Sequence, residues 1–194
     1  LDNLKKCDLK KKNGIIGANL GKNFDSKEPF DDYLNLLKIF DKKTNYITLN
    51  VSSPNTPGLR ELEKKDNFDK LVSEVSNLKK QKKVNVPVFI KLDPDLSQKA
   101  ISDVAEIILK SRIDGIIISN TSINRSNKLK SKFSKQSGGI SGEPIKSKSN
   151  RLLKNFYSLT KGKVPLIGVG GISNGQDAYE RILSGASLIQ FYTS

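Results

Sequence analysis

The sequence predicts an α/β fold, a parallel sheet with helices between its strands, built as part of a (β/α)8 TIM barrel. Six short apolar segments alternate with five helical ones along the 194 residues. Several strands, such as Gly115-Ile-Ile-Ile and Pro165-Leu-Ile-Gly, are continuous apolar runs, the pattern of strands buried on both faces. Successive strands recur about every 25 to 45 residues, the repeat that such a barrel uses.

The predicted strands are 15–20, 46–51, 88–92, 115–119, 164–169 and 187–192. Between the first two, residues 29–40 carry Phe30, Tyr33, Leu34, Leu36, Leu37 and Phe40, a helical stripe. Residues 68–78 place Phe68, Leu71, Val72, Val75 and Leu78 on one face. Ser97 stands as N-cap of helix 98–109, whose inner face is Ala100, Ile101, Val104, Ala105 and Ile108. Helices 148–159 and 175–183 complete the set, with Asn174 or Ser173 as cap of the last. Residues 122–148 are too long for an ordinary connection and contain Gly-Gly-Ile-Ser-Gly, which predicts a functional loop with a mobile front half at 124–136.

Six strands cannot close a barrel, and they leave two edges of unpaired backbone groups. The chain also has no methionine. Both observations lead to the expectation of one partial barrel domain over residues 1–194, with six of eight β/α units present. Two N-terminal strands and a final helix are expected to be missing.

Composition narrows the function. No apolar run approaches the roughly 18 residues that a membrane-spanning helix needs. A single cysteine, Cys7, rules out an internal disulfide framework. The net charge of +14 raises the question of nucleic acid, yet only five of the 34 basic residues are arginine, and no aromatics interleave with the lysines. A lysine-rich solvated surface accounts for that charge, so no nucleic-acid partner is expected. A basic surface also favours an anionic membrane face or anionic small molecules.

On a barrel the C-terminal strand ends share one face, and polar residues crowd there. Asn19, Gly21 and Lys22 follow the first strand, and Asn50, Ser53 and Asn55 the second. Lys91, Asp93 and Asp95 come from the third, and Ser119, Asn120 and Thr121 from the fourth. Gly168, Gly170 and Gly171 close the fifth, and Tyr192 and Thr193 the sixth. The densest stretch is Ile-Thr-Leu-Asn-Val-Ser-Ser-Pro-Asn-Thr-Pro-Gly-Leu-Arg at 47–60. An ordinary turn uses the same residue types, so the neighbouring strand ends weigh in favour of a site.

Gly-Val-Gly-Gly-Ile-Ser at 168–173 is a bare-backbone turn leading into a helix, which suits a phosphate, although glycine also serves plain helix–strand packing. Lys91, flanked by apolar strand residues, needs either a buried ion pair with Asp93 or Asp95 or an anionic ligand. The chain has no histidine, Cys7 sits in a polar stretch, and no His/Cys metal cluster exists. Asp93-Pro-Asp95 before a helix reads more simply as a cap and turn. Ser53, held by a proline and ringed by amides, is the best-placed hydroxyl, and it needs an activating cofactor, substrate or water chain. A site of this make-up suits a cofactor that carries the chemistry while the protein orients it.

These residues resemble quinone-dependent, class 2 dihydroorotate dehydrogenase, an FMN enzyme of pyrimidine biosynthesis. The segments that carry the resemblance are GANLGKN, YITLNVSSPNTPGLR, VFIKLDPDLS, DGIIISNTSINR, GGISGEPI and VPLIGVGGISNGQDAYERILSGASLIQFYTS, which together span nearly the whole chain in order. The resemblance implies that Ser53 is the catalytic base. It assigns FMN contacts to Asn19, Asn50, Lys91, Ser119, Gly142, Gly171, Tyr192 and Thr193, the last three around the phosphate. Asn50, Asn55, Asn120 and Thr121 would hold dihydroorotate or orotate. The implied reaction removes a C5 proton at Ser53 with hydride transfer from C6 to flavin N5, and quinone reoxidises the flavin. Serine rather than cysteine at position 53 marks class 2.

Asp93 departs from the family, which has a small residue there, and is expected either to weaken the charge of Lys91 or to point outward. A flavin-binding Ala-Gly stretch, a substrate lysine and an Asn-Arg motif on the first two family strands are also expected to be missing. So is an amphipathic N-terminal region that would carry peripheral association with a bacterial inner membrane or the mitochondrial inner membrane. The 194-residue chain alone is therefore expected to be colourless and inactive. Another FMN barrel oxidoreductase (class 1 dihydroorotate or dihydropyrimidine dehydrogenase) and a non-catalytic phosphate-ligand-binding barrel fragment are the alternatives.

Overall fold

The computed structural model describes residues 14–23, 26, 29–56, 58–125, 129, 132, 134 and 136–192. Cys7, Thr193 and much of 124–136 lie outside them.

Six parallel strands form one sheet in sequence order: β1 (Gly17–Leu20), β2 (Tyr46–Asn50), β3 (Val88–Leu92), β4 (Gly115–Ile118), β5 (Leu166–Val169) and β6 (Leu188–Gln190). The helices between them are α1 (Pro29–Phe40), α2 (Lys65–Lys80), α3 (Gln98–Leu109), α4 (Glu143–Thr160) and α5 (Gly175–Leu183). This is the curled α/β half-barrel that the alternation of segments predicts.

Period-two alternation sorts the side chains onto two faces. One face carries Leu20, Ile47, Leu49, Val88, Ile90, Leu92, Ile116, Ile118 and Leu166, all buried in a single core with the helix stripes. Tyr33 and Leu37 of α1, Phe68 and Leu71 of α2, Val104 of α3 and Phe156 of α4 complete it. The other face looks into the barrel lumen. Register brings Asn19 beside Thr48, Asn50 beside Lys91, Lys91 beside Ile117 and Val169 beside Gln190. Lower in the lumen the rings of Tyr46 and Phe89 meet edge to face at 5.9 Å.

Ser97 and Asn174 are the N-caps of α3 and α5, accepting from the amides of Ala100 and Asp177. Several boundaries differ from the sequence reading. The first strand begins at Gly17 because the Ile16 amide donates to the Asn45 side chain. Helix α4 starts five residues before 148, where Gly142 at φ 73° turns the chain and Pro144 takes a first-turn position. A 3₁₀ turn, Leu59–Glu63, bridges the loop after β2 to α2, an element that the sequence did not suggest. The long connection after β4 is pinched at its base by paired backbone hydrogen bonds between Ser122 and Ile140.

Candidate active site

The strand ends converge as the barrel topology requires. A cavity of about 360 Å³ is lined by Lys91, Ser119, Asn120, Thr121, Gly142, Gly171 and Tyr192, among others. A second, of about 530 Å³, is the lumen itself and includes Asn19, Thr48, Lys91, Ile117 and Tyr192. Lys91 and Tyr192 belong to both. Ser53, Asn50 and Asn55 line neither cavity. Asn50 is joined to the first through Asn120, whereas Ser53 and Asn55 sit on the adjoining loop. Thr193 lies outside the described residues.

Asn120 links the strand ends. Its Nδ2 donates to Asn50 Oδ1 at 3.0 Å and to Ser52 Oγ at 3.0 Å, and its Oδ1 accepts from the Thr121 amide at 2.9 Å. Ser52 is fully buried and donates to the Lys91 carbonyl at 2.7 Å. The Asn50 carbonyl in turn accepts from Tyr33 Oη at 2.7 Å, and burial pushes that phenol well above its usual range. β2, β3 and β4 are thus stitched together at their C-terminal ends. Ser52 is a positioning group that the sequence reading passed over in favour of its neighbour. Just past β2, Ser52 is turned into the fold while Ser53 stays half-buried.

Ser53 is half-buried, and its Oγ accepts from the Asn55 amide at 3.3 Å. The glycine pair in the long loop passes beside this turn. A Cβ on Gly139 would meet Thr121 Oγ1 at 1.8 Å and Pro54 Cγ at 3.1 Å, so only glycine lets the two loops lie so close.

Among the described residues, Lys91 has neither an ion pair nor a hydrogen-bond partner for its ammonium group. Burial holds its pKa below the usual lysine range. The two carboxylates that could have paired with it turn elsewhere. Asp93 Oδ2 meets Arg60 Nη1 at 2.6 Å, and Asp95 pairs with Lys148. Asp93 is buried and neither points outward nor neutralises Lys91. Burial also raises the Asp95 carboxyl, but hydrogen bonds from Lys148, Ser122 and the Ile123 amide outweigh it and hold the group below the usual carboxylate range.

At the end of β5 the backbone is bare. Gly170 and Gly171 have φ of 97° and 68°. A Cβ on Gly171 would come within 2.8 Å of the Gly142 carbonyl, so the turn and the start of α4 are in close contact. Together these elements make a concave site with one unpaired cation, a cluster of amide and hydroxyl side chains, and a glycine-built turn.

Comparison with known proteins gives this arrangement a family. The model of the family described as dihydroorotate dehydrogenase matches residues 1–194. The chain is 42% identical over 185 residues to dihydroorotate dehydrogenase (quinone) from Parvibaculum lavamentivorans, covering 95% of this chain and 52% of that protein. It is 41% identical over 186 residues to the mitochondrial quinone enzyme of Oryza sativa subsp. japonica, covering 93% of this chain and 40% of the relative. A crystal structure of DHODH in complex with ferulenol from Eimeria tenella superposes with a TM-score of 0.87 at 34% identity, covering 93% of this chain and 53% of that one. The chain therefore spans about half the length of the relatives it matches. The half-barrel, the serine loop and the glycine turn sit together in one continuous match along the whole sequence, and the chain belongs to the dihydroorotate dehydrogenase family.

Proposed function

We propose that residues 1–194 form a partial FMN-binding barrel domain of a quinone-dependent dihydroorotate dehydrogenase. Its reaction is oxidation of dihydroorotate to orotate, the fourth step of pyrimidine (UMP) biosynthesis, with a quinone as final electron acceptor. The observation that carries this reading is Lys91, an unpaired cation in register with Asn50 that opens on both cavities. A lysine in that position calls for an anionic or electron-rich ligand.

FMN fits the residues present. The Gly170–Gly171 turn has no room for side chains and suits a phosphate, and Lys91 suits the ring system. Asn19, Asn50, Lys91 and Ser119 would hold the flavin, and Gly142, Gly171, Tyr192 and Thr193 its ribityl phosphate end. When bound, FMN supplies the two-electron acceptor that the side chains lack. Asn50, Asn55, Asn120 and Thr121 would fix the ring and carboxylate of dihydroorotate. Asn120 is already oriented for this task by Ser52, Asn50 and the Thr121 amide.

Ser53 would take the C5 proton, its own hydroxyl proton passing on to water. Its Oγ already accepts from the Asn55 amide, which fixes the side chain without consuming the hydroxyl hydrogen. The relatives' names include bacterial and mitochondrial quinone enzymes, which supports peripheral association with the bacterial inner membrane or the mitochondrial inner membrane. Among the described residues no helix is long and apolar enough to cross a membrane.

The test is Ser53→Ala in the holoenzyme, following flavin bleaching after dihydroorotate is added. A rate lower by about 10²- to 10⁴-fold with flavin still bound is the expected result. An unchanged rate removes Ser53 as the base.

A further inference from the structure

Among the described residues Arg181 is the largest fully buried side chain. It stands on the inner face of α5, and its Nη2 donates to the Gly170 carbonyl. Nε and Nη1 are buried without a hydrogen-bond partner. No carboxylate pairs with it among the described residues. The nearby Asp177 is held by Lys146 Nζ at 3.0 Å and by the Ser173 amide at 2.9 Å. A buried, unpaired guanidinium is costly, and burial pulls this one down to about 10, which leaves it charged at neutral pH. For packing alone an apolar side chain would serve better.

The cation has a particular place. A Cβ on Gly168 would lie 3.1 Å from Arg181 Cδ, so the side chain runs beneath the glycine turn. Gly170, Gly171, Ile172 and Ser173 line the smaller cavity, whereas Arg181 does not. In a planar trans peptide the N–H of one residue points opposite to the carbonyl of the residue before it. Clamping the Gly170 carbonyl toward Arg181 therefore turns the Gly171 N–H the other way. That N–H has no acceptor among the described residues although Gly171 is buried, and a buried amide needs one.

We propose that Arg181 is a positioning residue for a phosphate monoester: it locks the Gly170–Gly171 peptide so that the Gly171 N–H faces the ligand, and it places a buried positive charge behind the turn. This rests on the phosphate reading of the turn given above, and it deepens that reading by assigning anion selectivity to a side chain that never touches the anion. Removing the guanidinium frees the peptide to rotate and removes the charge, while the glycines themselves stay in the sequence.

The test titrates the chain with inorganic phosphate while NMR follows the amides of residues 170–173 and the Arg181 Nε–H. In the unaltered chain the Gly171 amide and the Arg181 Nε–H are expected to shift together on one saturable curve. Arg181→Gln is expected to weaken binding by about tenfold or more, and Arg181→Lys to restore most of it. Equal phosphate affinity in the unaltered chain and in Arg181→Gln overturns the proposal, as does a silent Gly171 amide in the unaltered chain. Where Arg181→Gln does not fold, the unaltered chain still decides, because independent curves for the two signals also overturn it. Flavin and dihydroorotate take no part in this titration. A full-length protein that never retains flavin, beside a chain that binds phosphate in this way, would remove the flavoenzyme reading and leave the role of Arg181 standing.

Discussion

Arg60 Nη1 lies 2.6 Å from Asp93 Oδ2, and Arg60 Nη2 donates to the Thr121 carbonyl at 3.1 Å. One side chain thus ties the loop after β2, which carries Ser53 and Asn55, to the loops after β3 and β4. The tie extends further. The Asp93 amide donates to Glu63 Oε1 at 2.8 Å, and Asp93 Oδ1 accepts from the Asp95 amide at 2.7 Å. Asp95 in turn holds Ser122 Oγ at 2.7 Å and Lys148. Asp93 therefore serves the serine loop rather than Lys91.

Asp93→Ala tests that tie. It leaves Arg60, whose Nε is already buried without a partner, with the Thr121 carbonyl and, as its one remaining carboxylate among the described residues, Asp95 Oδ2 at 3.6 Å. Burial outweighs the pull of Arg60 and raises the Asp93 carboxyl to about 6, so the pair is held against a desolvation cost. Breaking such a pair strands the remaining charge, and a loss of about 1 to 3 kcal/mol in urea unfolding at pH 7.5 is expected. Asp93→Asn keeps the acceptor for the Asp95 amide and should lose less. Faster hydrogen exchange at the amides of residues 121–123 should accompany the alanine change.

Glu63 predicts a pH dependence. Burial lifts its carboxyl to about 8, against the opposing effects of the Asp93 amide and Arg60. The folded chain then holds a proton that the unfolded chain releases near 4.5, so this group's contribution to stability falls as pH rises from about 4.5 to 8. Glu63→Gln keeps an acceptor for the Asp93 amide but cannot ionise. Its stability should exceed that of the unaltered chain by about 1 to 3 kcal/mol at pH 9 and converge with it near pH 5. Parallel stability curves across that range would remove Glu63 as the titrating group.

The parts of this structure that were legible in the sequence are those written in local periodicity. Gly115-Ile-Ile-Ile read as a doubly buried strand, and Val-Phe-Ile-Lys-Leu marked Lys91 as a lysine set among apolar strand residues. Caps at Ser97 and Asn174 were readable because their side chains act within one turn. Arg60 was visible in its loop, but its partner is set by how three loops fold over one another, which no local pattern encodes. Arg181 was hidden for another reason. Its neighbours Ile182 and Leu183 are 46% and 65% exposed while Arg181 is fully buried, so the polarity of α5 runs against the usual rule. The early start of α4 was masked by a polar first turn, where the signal was the Gly142 turn and Pro144 rather than an apolar stripe.

Lys91→Met separates the cost of the lumen cation from its use. Burial holds the Lys91 pKa below 10.5, so the unfolded chain binds the proton more tightly and the group's contribution to stability rises with pH through the window just below 10.5. Methionine fills the same channel without charge. The ligand-free chain should gain about 1 kcal/mol at pH 7 and lose that part of the alkaline rise, as measured by urea unfolding between pH 7 and 10. The same change should strip flavin from the holoenzyme, read as the ratio of flavin to protein absorbance after gel filtration, because nothing else among the described residues supplies an unpaired cation to both cavities. Arginine at this position keeps the charge but adds bulk between Asn50 and Ile117, its neighbours in register, so Lys91→Arg should retain flavin only in part. Full flavin retention in Lys91→Met would show that the lysine is tolerated in the lumen without being used there.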